Sequence, residues 1–188
     1  IDNIGLMFVS MGLAILFRAY GMNVLAALSM TALLYQIASH AAFKSLLFLG
    51  TGSVLHATGE RNLGRLGGLI RFMPWTAWTV LVGALASAGL PPLSGFVSEW
   101  LLLQSFLFTP GLPDPFLNMV VPLVAALIAL VAALAGYTMV KFFGIVFLGQ
   151  PREAKLRDAR DASPWERAGF MWLAAICVLL GLLPVQFV

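Results

Sequence analysis

Long apolar runs alternate with short polar breaks along the chain, and the lengths of the runs predict its architecture. A transmembrane helix needs about 20 consecutive, mostly apolar residues to cross the hydrocarbon layer. Runs of that length or longer cover residues 24–55, 75–108, 117–148 and 168–188, and a shorter apolar run covers residues 1–17. The pattern predicts an all-α polytopic membrane protein with about five transmembrane crossings.

The run over residues 75–108 is broken at residues 89–95, where Pro91, Pro92 and Gly95 interrupt the helical pattern. Proline removes a backbone donor and its ring clashes with the preceding turn, so the helix cannot continue unchanged through this point. The break is either a turn between two short spans or an unwound point inside one discontinuous helix.

The distribution of basic residues favours the second alternative. A single broken crossing puts the segments 57–71 and 150–167 on the same side of the membrane, whereas two crossings put them on opposite sides. These two segments hold most of the basic residues of the chain, namely Arg61, Arg65, Arg71, Arg152, Lys155, Arg157, Arg160 and Arg167. By the positive-inside rule we expect one broken helix with both segments cytoplasmic and Arg18 on the opposite side.

An unwound backbone at membrane depth has a functional meaning. Its free amides and carbonyls are tolerated only where they are buried in protein or line a water-filled cavity. Discontinuous helices of this kind form the ion and substrate sites of many transporters. The break therefore indicates a hydrated path through the bundle.

Composition agrees with a membrane protein and narrows the chemistry. The chain has 188 residues, of which 61% are hydrophobic and 10% charged, and its net charge is +3. Such a low charge content excludes soluble, disordered and nucleic-acid-binding classes. The single Cys177 rules out a disulfide within the chain, and no metal-ligand spacing or phosphate-binding loop is present. We expect no cofactor, no metal and no partner nucleic acid.

The first residue is Ile1 rather than Met, and it lies in an already apolar segment without a basic region or a cleavage site. We interpret the sequence as an internal piece of a longer protein or a trimmed chain. The remaining boundaries predict a bundle of spans over residues 1–149, a polar cytoplasmic loop over 150–167 and the start of a following transmembrane helix over 168–188.

Lys44 is the strongest candidate for function inside the apolar runs. It follows His40 by four residues and Gln36 by eight, so the three side chains share one helix face. A charge at bilayer depth is costly and usually faces a partner, a cavity or an ion path. A desolvated lysine can release and retake a proton, and a histidine one turn away is a suitable relay. The alternative is a lysine that snorkels or is permanently paired with an acid from a part of the protein that this sequence does not include.

Two further charged residues lie inside the spans. Glu99 is the one acid expected there, and it follows the helix break directly. It is either a protonatable carboxylate or an acid that only complements the dipole at the start of the second half-helix. Lys141 lies about two turns from the cytoplasmic end of its helix, where a role in the path and snorkelling to the interface are equally compatible with the pattern.

Three ordered motifs resemble the proton-translocating antiporter-like membrane subunits of respiratory complex I, Mrp-type sodium/proton antiporters and group 4 membrane-bound hydrogenases. The motifs are Ser39 to Gly50 (SHAAFKSLLFLG), Leu66 to Leu69 (LGGL) and Gly89 to Trp100 (GLPPLSGFVSEW). The resemblance extends over essentially the whole chain. Within the family, residues 1–5 and 140–149 are most similar to the hydrogenase-4 component B and formate hydrogenlyase type of membrane subunit.

The resemblance implies that residues 1–149 form part of the second of two inverted repeats. It also implies that Lys44 is the central channel lysine, that His40 is its relay neighbour and that Glu99 is the terminal protonatable residue on the broken helix. Relatives often carry a second histidine one turn before the position of His40. Gln36, which stands there in this chain, cannot titrate, so water or Tyr35 would have to bridge the gap.

The function implied by the resemblance is proton conduction in a redox-driven complex of the hydrogenase-4, formate hydrogenlyase or NADH:quinone oxidoreductase type, in a non-catalytic membrane subunit. Its partners would be other membrane subunits and a peripheral redox arm, and its location a bacterial plasma membrane. A subunit of an Mrp-type antiporter that moves protons and Na⁺ is the alternative. A structural membrane anchor with inert buried charges is a third possibility, from a different class.

Overall fold

The computed structural model describes residues 2–107 and 112–186, and the regular elements within these residues are all helical. The helices are α1 (Asp2–Ala19), α2 (Asn23–Thr58), α3 (Pro74–Ser87), α4 (Ser94–Leu107), α5 (Pro115–Phe147) and α6 (Pro164–Leu182). Short 3₁₀ turns cover Leu63–Arg65, Leu69–Arg71, Ala154–Asp158 and Pro184–Gln186. The predicted all-α fold is confirmed.

Within residues 2–107 and 112–186, four helices are long and apolar enough to cross a membrane, namely α1, α2, α5 and α6. The helices α3 and α4 have 14 residues each. At 1.5 Å per residue each is only about 21 Å long, which is less than the hydrocarbon thickness. The predicted broken span is therefore present as two half-length helices.

Contacts between the loops show that α3 and α4 make a single crossing together. The amide of Gly68 donates to the carbonyl of Leu148 at 2.9 Å. The Arg152 side chain donates to the carbonyl of Gly64 at 2.9 Å, and Lys155 Nζ lies 3.0 Å from Glu60 Oε2. The loop after α2 and the loop after α5 therefore lie at the same end of the bundle. Because α3 starts and α5 finishes at this end, the pair α3 and α4 must cross to the other end once.

A buried apolar cluster fixes the two loops onto the helices. Its members from the loops and from the ends of α3 and α5 are Leu66, Leu69, Met73, Ala77, Phe147, Leu156 and Ala159. Leu69, Met73 and Leu156 are fully buried. The polar loop is thus folded against the bundle rather than extended into solvent.

The start of α6 differs from the sequence prediction. Residues 164–167 belong to the helix, although the polar loop was expected to extend to residue 167. Ser163 accepts a hydrogen bond from the amide of Glu166, the Glu166 carboxylate accepts one from the amide of Ser163, and Pro164 occupies the first helical position. This capping box starts a helix in sequence that is too polar to be recognised as a span.

Candidate functional site

The polar face of α2 lies in the interior of the bundle. Gln36 is buried and both His40 and Lys44 are half-buried, on successive turns near the middle of the helix. Two residues at the start of α1, Asp2 and Asn3, face the same region. A cavity of about 300 Å³ is lined by Asp2, Asn3, His40, Lys44, Ser87, Val131, Leu134, Ala135, Thr138 and Met139.

Lys44 has no carboxylate partner in the described part of the chain, where the ion pairs within 4.0 Å all belong to the loops. Its Nζ lies 5.9 Å from the centroid of the Phe48 ring, and its side chain also lines a second, smaller cavity with Met139 and Phe142. No acid of residues 2–107 or 112–186 therefore forms an ion pair with Lys44 in the structure. The ammonium group depends on the cavity and on any water in it for stabilisation.

His40 lies between Lys44 and the rest of the polar face. Its ring packs edge-on against Phe43, with the centroids 5.3 Å apart. The Nδ1 atom is buried and has no hydrogen-bond partner among the residues the structure describes. His40 thus lines the cavity with one ring nitrogen that receives no hydrogen bond from the described residues.

Gln36 is held by neighbours on two other helices. Its Nε2 donates to Asn3 Oδ1 on α1 at 2.7 Å, and its Oε1 accepts from the hydroxyl of Ser98 on α4. The Ser98 Oγ also lies 2.9 Å from the carbonyl oxygen of Gly95. The three side chains connect α1, α2 and α4, but none of them titrates in the physiological range.

Tyr35 does not bridge the gap that Gln36 leaves in the relay. Its hydroxyl donates to the carbonyl oxygen of Leu180 on α6. The phenol therefore joins α2 to a different neighbour from those that Gln36 contacts, which leaves water as the other of the two expected bridges.

The helix break lies between Ser87 and Ser94 and contains Pro91 and Pro92, which are joined by a cis peptide bond. Part of its backbone is satisfied locally, since the amide of Leu90 donates to the carbonyl of Leu85 at 3.1 Å. The Ser39 hydroxyl on α2 donates to the carbonyl of Ser94 at 3.3 Å. The break is thus in direct contact with the polar face of α2.

Two glycines allow the two half-helices to approach each other. Gly89 has a φ of +65°, in the left-handed region that other residues avoid. A Cβ on Gly95 would overlap the carbonyl oxygen of Ala86, so only glycine fits where α4 passes the end of α3. Gly95 is therefore a close-packing residue as well as part of the break.

Glu99 lies on the second turn of α4, and its side chain reaches back across the break. A Cβ placed on Gly89 would lie 2.7 Å from the Glu99 Cδ and 2.9 Å from its Oε1. The carboxyl group therefore rests on the bare backbone of the break. It is half-buried, which is unlike a solvent-exposed acid that only complements a helix dipole.

Lys141 is not brought together with the other candidates. It is exposed on α5, with its Nζ 5.8 Å from the centroid of the Tyr137 ring. The residues of α5 that line the cavity with Lys44 include Thr138 and Met139, but Lys141 is not among them.

Asp2 is a cavity residue that the sequence did not suggest, because an acid at the first turn of a helix usually complements the helix dipole. It lines the cavity with His40 and Lys44, and its Oδ1 is buried with no hydrogen-bond partner among the described residues. Glu99 is therefore not the only acid inside the spans.

The loop end of the bundle carries an ion-pair network outside the spans. Glu60 accepts a hydrogen bond from the amide of Asn62 at 3.0 Å and pairs with Lys155 at 3.0 Å and Arg65 at 3.8 Å. The Asn62 amide and the Lys155 ammonium lower the pKa of Glu60 to about 2. The same contact raises the pKa of Lys155 above its usual range.

The polar loop also caps α3. The Asp161 carboxylate accepts from the amide of Trp75 at 2.8 Å and from the hydroxyl of Thr76 at 2.7 Å. Arg167 lies over the Trp75 ring, 5.8 Å from its centroid. Within the described residues, no group of three or more His, Cys, Asp or Glu side chains could hold a metal ion.

Residues 8–111 match the family model described as NADH:quinone oxidoreductase/Mrp antiporter, TM. The chain belongs to this family. Family members span membranes, and with the four long apolar helices this makes the protein an integral membrane protein. The expected resemblance to antiporter-like subunits is confirmed.

Two curated relatives from Escherichia coli (strain K12) belong to hydrogen-metabolising complexes by their names. Formate hydrogenlyase subunit 3 is 37% identical over 181 residues, which is 96% of this chain and 30% of that protein. Hydrogenase-4 component B is 32% identical over 182 residues, which is 97% of this chain and 27% of that protein. The chain therefore spans about three tenths of the length of these relatives.

A solved structure shows that the same helical fold occurs in an antiporter complex. A chain of the Mrp complex from Dietzia sp. DQ12-45-1b superimposes with a TM-score of 0.72 at 19% identity, over 100% of this chain and 44% of that chain. At this identity the likeness concerns the fold alone.

Proposed function

We propose that this chain is part of a proton-conducting membrane subunit of a redox-driven complex, similar to hydrogenase-4 or formate hydrogenlyase and related to NADH:quinone oxidoreductase. Lys44, His40 and Glu99 carry the proton, and the chain itself holds no cofactor. The observation that carries this proposal is the position of Lys44. It lies at the middle of a long membrane helix, beside His40 in a cavity, and has no carboxylate partner in residues 2–107 and 112–186.

Lys44 lies at a depth where an unpaired charge is costly. A charge inside a membrane span usually faces a partner, a cavity or an ion path, and Lys44 faces a cavity. A change of charge elsewhere in the complex then alters the proton affinity of Lys44 through electrostatics, which are strong at low dielectric constant. Electron transfer in a partner subunit would supply that change. The proton leaves the Lys44 ammonium, which becomes a neutral amine, and is taken up by a neighbouring group.

The basic residues of the loops support a proposal for the orientation of the chain in the membrane. We propose that the end of the bundle with the residues 59–73 and 148–163 is cytoplasmic, because these segments hold most of the basic residues. The membrane would be the bacterial plasma membrane. Residues 1–149 would form part of the second of two inverted repeats, and the partners would be other membrane subunits and a peripheral redox arm.

The test replaces Lys44 in the complete protein within its complex. We expect Lys44→Ala and Lys44→Arg both to stop redox-linked proton translocation in proteoliposomes, while the complex still assembles and its electron transfer to a soluble acceptor persists. Arginine keeps the charge but does not release its proton at physiological pH, so it separates proton transfer from a structural need for charge. Normal translocation in Lys44→Arg would instead favour an inert anchor.

An Mrp-type sodium/proton antiporter subunit is the second candidate. It is supported by the shared fold with the Mrp complex and by a family model that covers both kinds of protein. Membrane vesicles separate the two functions. An antiporter exchanges Na⁺ for protons across the vesicle membrane without any electron donor, whereas the subunit proposed here moves protons only while the complex turns over.

A further inference from the structure

The proposed function requires a route for the proton from the cavity around Lys44 to Glu99. A proton on Lys44 or His40 has to reach Glu99 on α4, and the side chain between them on α2 is Gln36. Its amide is fixed by Asn3 and Ser98 and cannot carry a proton by titration. Another titratable group is therefore needed between α2 and the break.

Asp2 meets the geometric requirements for that group. It comes from α1, directly before the Asn3 that holds Gln36, and it lines the same cavity as His40 and Lys44. Its Oδ1 is buried but accepts no hydrogen bond from any described residue, so the atom is free to accept a proton or a water. The Asn3 beside it is joined through Gln36 to Ser98, which directly precedes Glu99 on α4.

We propose that Asp2 is a proton-path carboxylate that connects Lys44 and His40 with Glu99. This inference rests on the proposed function. The proton leaves the Lys44 ammonium and binds the Asp2 carboxylate, which gives a neutral amine and a neutral carboxylic acid. It then leaves Asp2 for the Glu99 carboxylate, and Asp2 returns to its ionised form. Water in the cavity would span any gap between the groups, and no other reactant is needed.

Asn3 and Gln36 have a distinct part in this arrangement. The bond between their side chains joins α1 to α2 at the depth of the cavity. Because Asn3 is the next residue after Asp2, this bond fixes the position of Asp2 relative to His40 and Lys44. Asn3 and Gln36 are thus positioning residues, while Asp2 itself carries the proton.

The first experiment replaces Asp2 in the complete protein within its complex. We expect Asp2→Asn and Asp2→Ser to assemble, to retain electron transfer to a soluble acceptor and to lower proton translocation at least about tenfold, as for loss of a proton-transfer group. Asp2→Glu keeps the carboxyl group and is expected to restore translocation. Asp114→Asn is the matched control, because Asp114 only caps α5 through the amide of Phe116 and asparagine caps equally well.

A second measurement tests whether Asp2 and Glu99 act in one path. If they act in series, the double variant Asp2→Asn/Glu99→Gln moves protons no more slowly than the slower single variant. Effects that multiply in the double variant would mean that the two carboxylates serve separate routes, and would overturn the proposal.

The other outcomes are equally decisive. Wild-type translocation in Asp2→Asn or Asp2→Ser would remove Asp2 from the path. Failure of both neutral variants to assemble would make Asp2 a structural residue and would also overturn the proposal. Measuring proton translocation by Lys44→Arg in the same preparation separates a failure of the role of Asp2 from a failure of the proposed function. If Lys44→Arg stops translocation and Asp2→Asn does not, only the role of Asp2 fails; if Lys44→Arg translocates normally, the proposed function itself fails.

Discussion

The carboxyl group of Glu99 rests on the backbone of Gly89, across the break that separates α3 from α4. A Cβ at Gly89 would lie 2.7 Å from the Glu99 Cδ, which is closer than real Cβ atoms approach a carbon. The glycine therefore sets the position of the carboxylate as well as the path of the backbone.

Gly89→Ala is expected to lower proton translocation, because the added methyl group pushes the Glu99 carboxylate off the break. The positive φ adds a backbone cost of about 1–2 kcal/mol for a residue with a Cβ. Gly21→Ala is the matched control, since Gly21 has a φ of +73° and no atom within 4 Å of its Cβ position. Translocation by the purified complex should fall in Gly89→Ala and stay near wild type in Gly21→Ala. Equal effects in both variants would contradict a specific contact with Glu99.

Lys141→Ala is expected to lower proton translocation far less than Lys44→Ala. Lys141 is exposed on α5 and contacts Tyr137 rather than the cavity. Translocation rates of the two variants in the same proteoliposome assay check this expectation. A loss as large as that of Lys44→Ala would return Lys141 to the path.

Asp161→Ala is expected to lower the free energy of unfolding by about 1–2 kcal/mol, the usual cost of losing a helix cap. The carboxylate satisfies the amides of Trp75 and Thr76, which have no acceptor within α3. Thermal unfolding in detergent measures the effect. Asp161→Asn should recover most of it, and Asp158→Ala should change little, because no hydrogen bond joins Asp158 to a neighbour in the described chain. An unchanged midpoint in Asp161→Ala would mean that the cap does not stabilise the fold.

Glu60 makes the docking of the two loops dependent on pH. Its pKa falls from 4.5 to about 2 in the folded protein, mainly through the amide of Asn62 and then the ammonium of Lys155. A carboxyl group with a lowered pKa stabilises the fold above its unfolded pKa, and this contribution is lost as the pH falls through the folded value. Glu60→Gln should therefore unfold at a lower temperature than wild type near neutral pH. The difference should shrink as the pH falls from about 4.5 to about 2, and high salt should weaken it by screening the pairs with Lys155 and Arg65. A constant difference across this range would argue against the ion pairs.

The spans and the break were predictable because each depends on local sequence. Run length determines the long helices, and Pro91 and Pro92 stop α3 whatever surrounds them. The single crossing of α3 and α4 was predictable from the distribution of arginines, since charge near helix ends reflects orientation in the membrane. The start of α6 was missed by four residues, because a capping box acts within polar sequence that a hydropathy pattern excludes.

The contents of the site were only partly predictable. Helical periodicity places Gln36, His40 and Lys44 on one face of α2, but it does not say which helix packs against that face. The bond between Gln36 and Asn3 joins residues 33 positions apart, and that between Gln36 and Ser98 joins residues 62 apart. Asp2 was not predicted for the same reason, because it lies beside His40 and Lys44 of α2 only in the folded protein. The outward direction of Lys141 likewise depends on how α5 is rotated against α3.

The two halves of the broken crossing are attached to the protein in different ways. At the loop end, the start of α3 is held by the loop, because the Trp75 amide donates to Asp161 and Arg167 lies over the Trp75 ring. The other half, α4, carries Glu99 and is joined to α2 by two side-chain hydroxyls, since Ser98 donates to Gln36 and Ser39 donates to the carbonyl of Ser94. Glu99 therefore takes its position from contacts in the interior of the bundle, whereas the start of α3 takes its position from the folded loop.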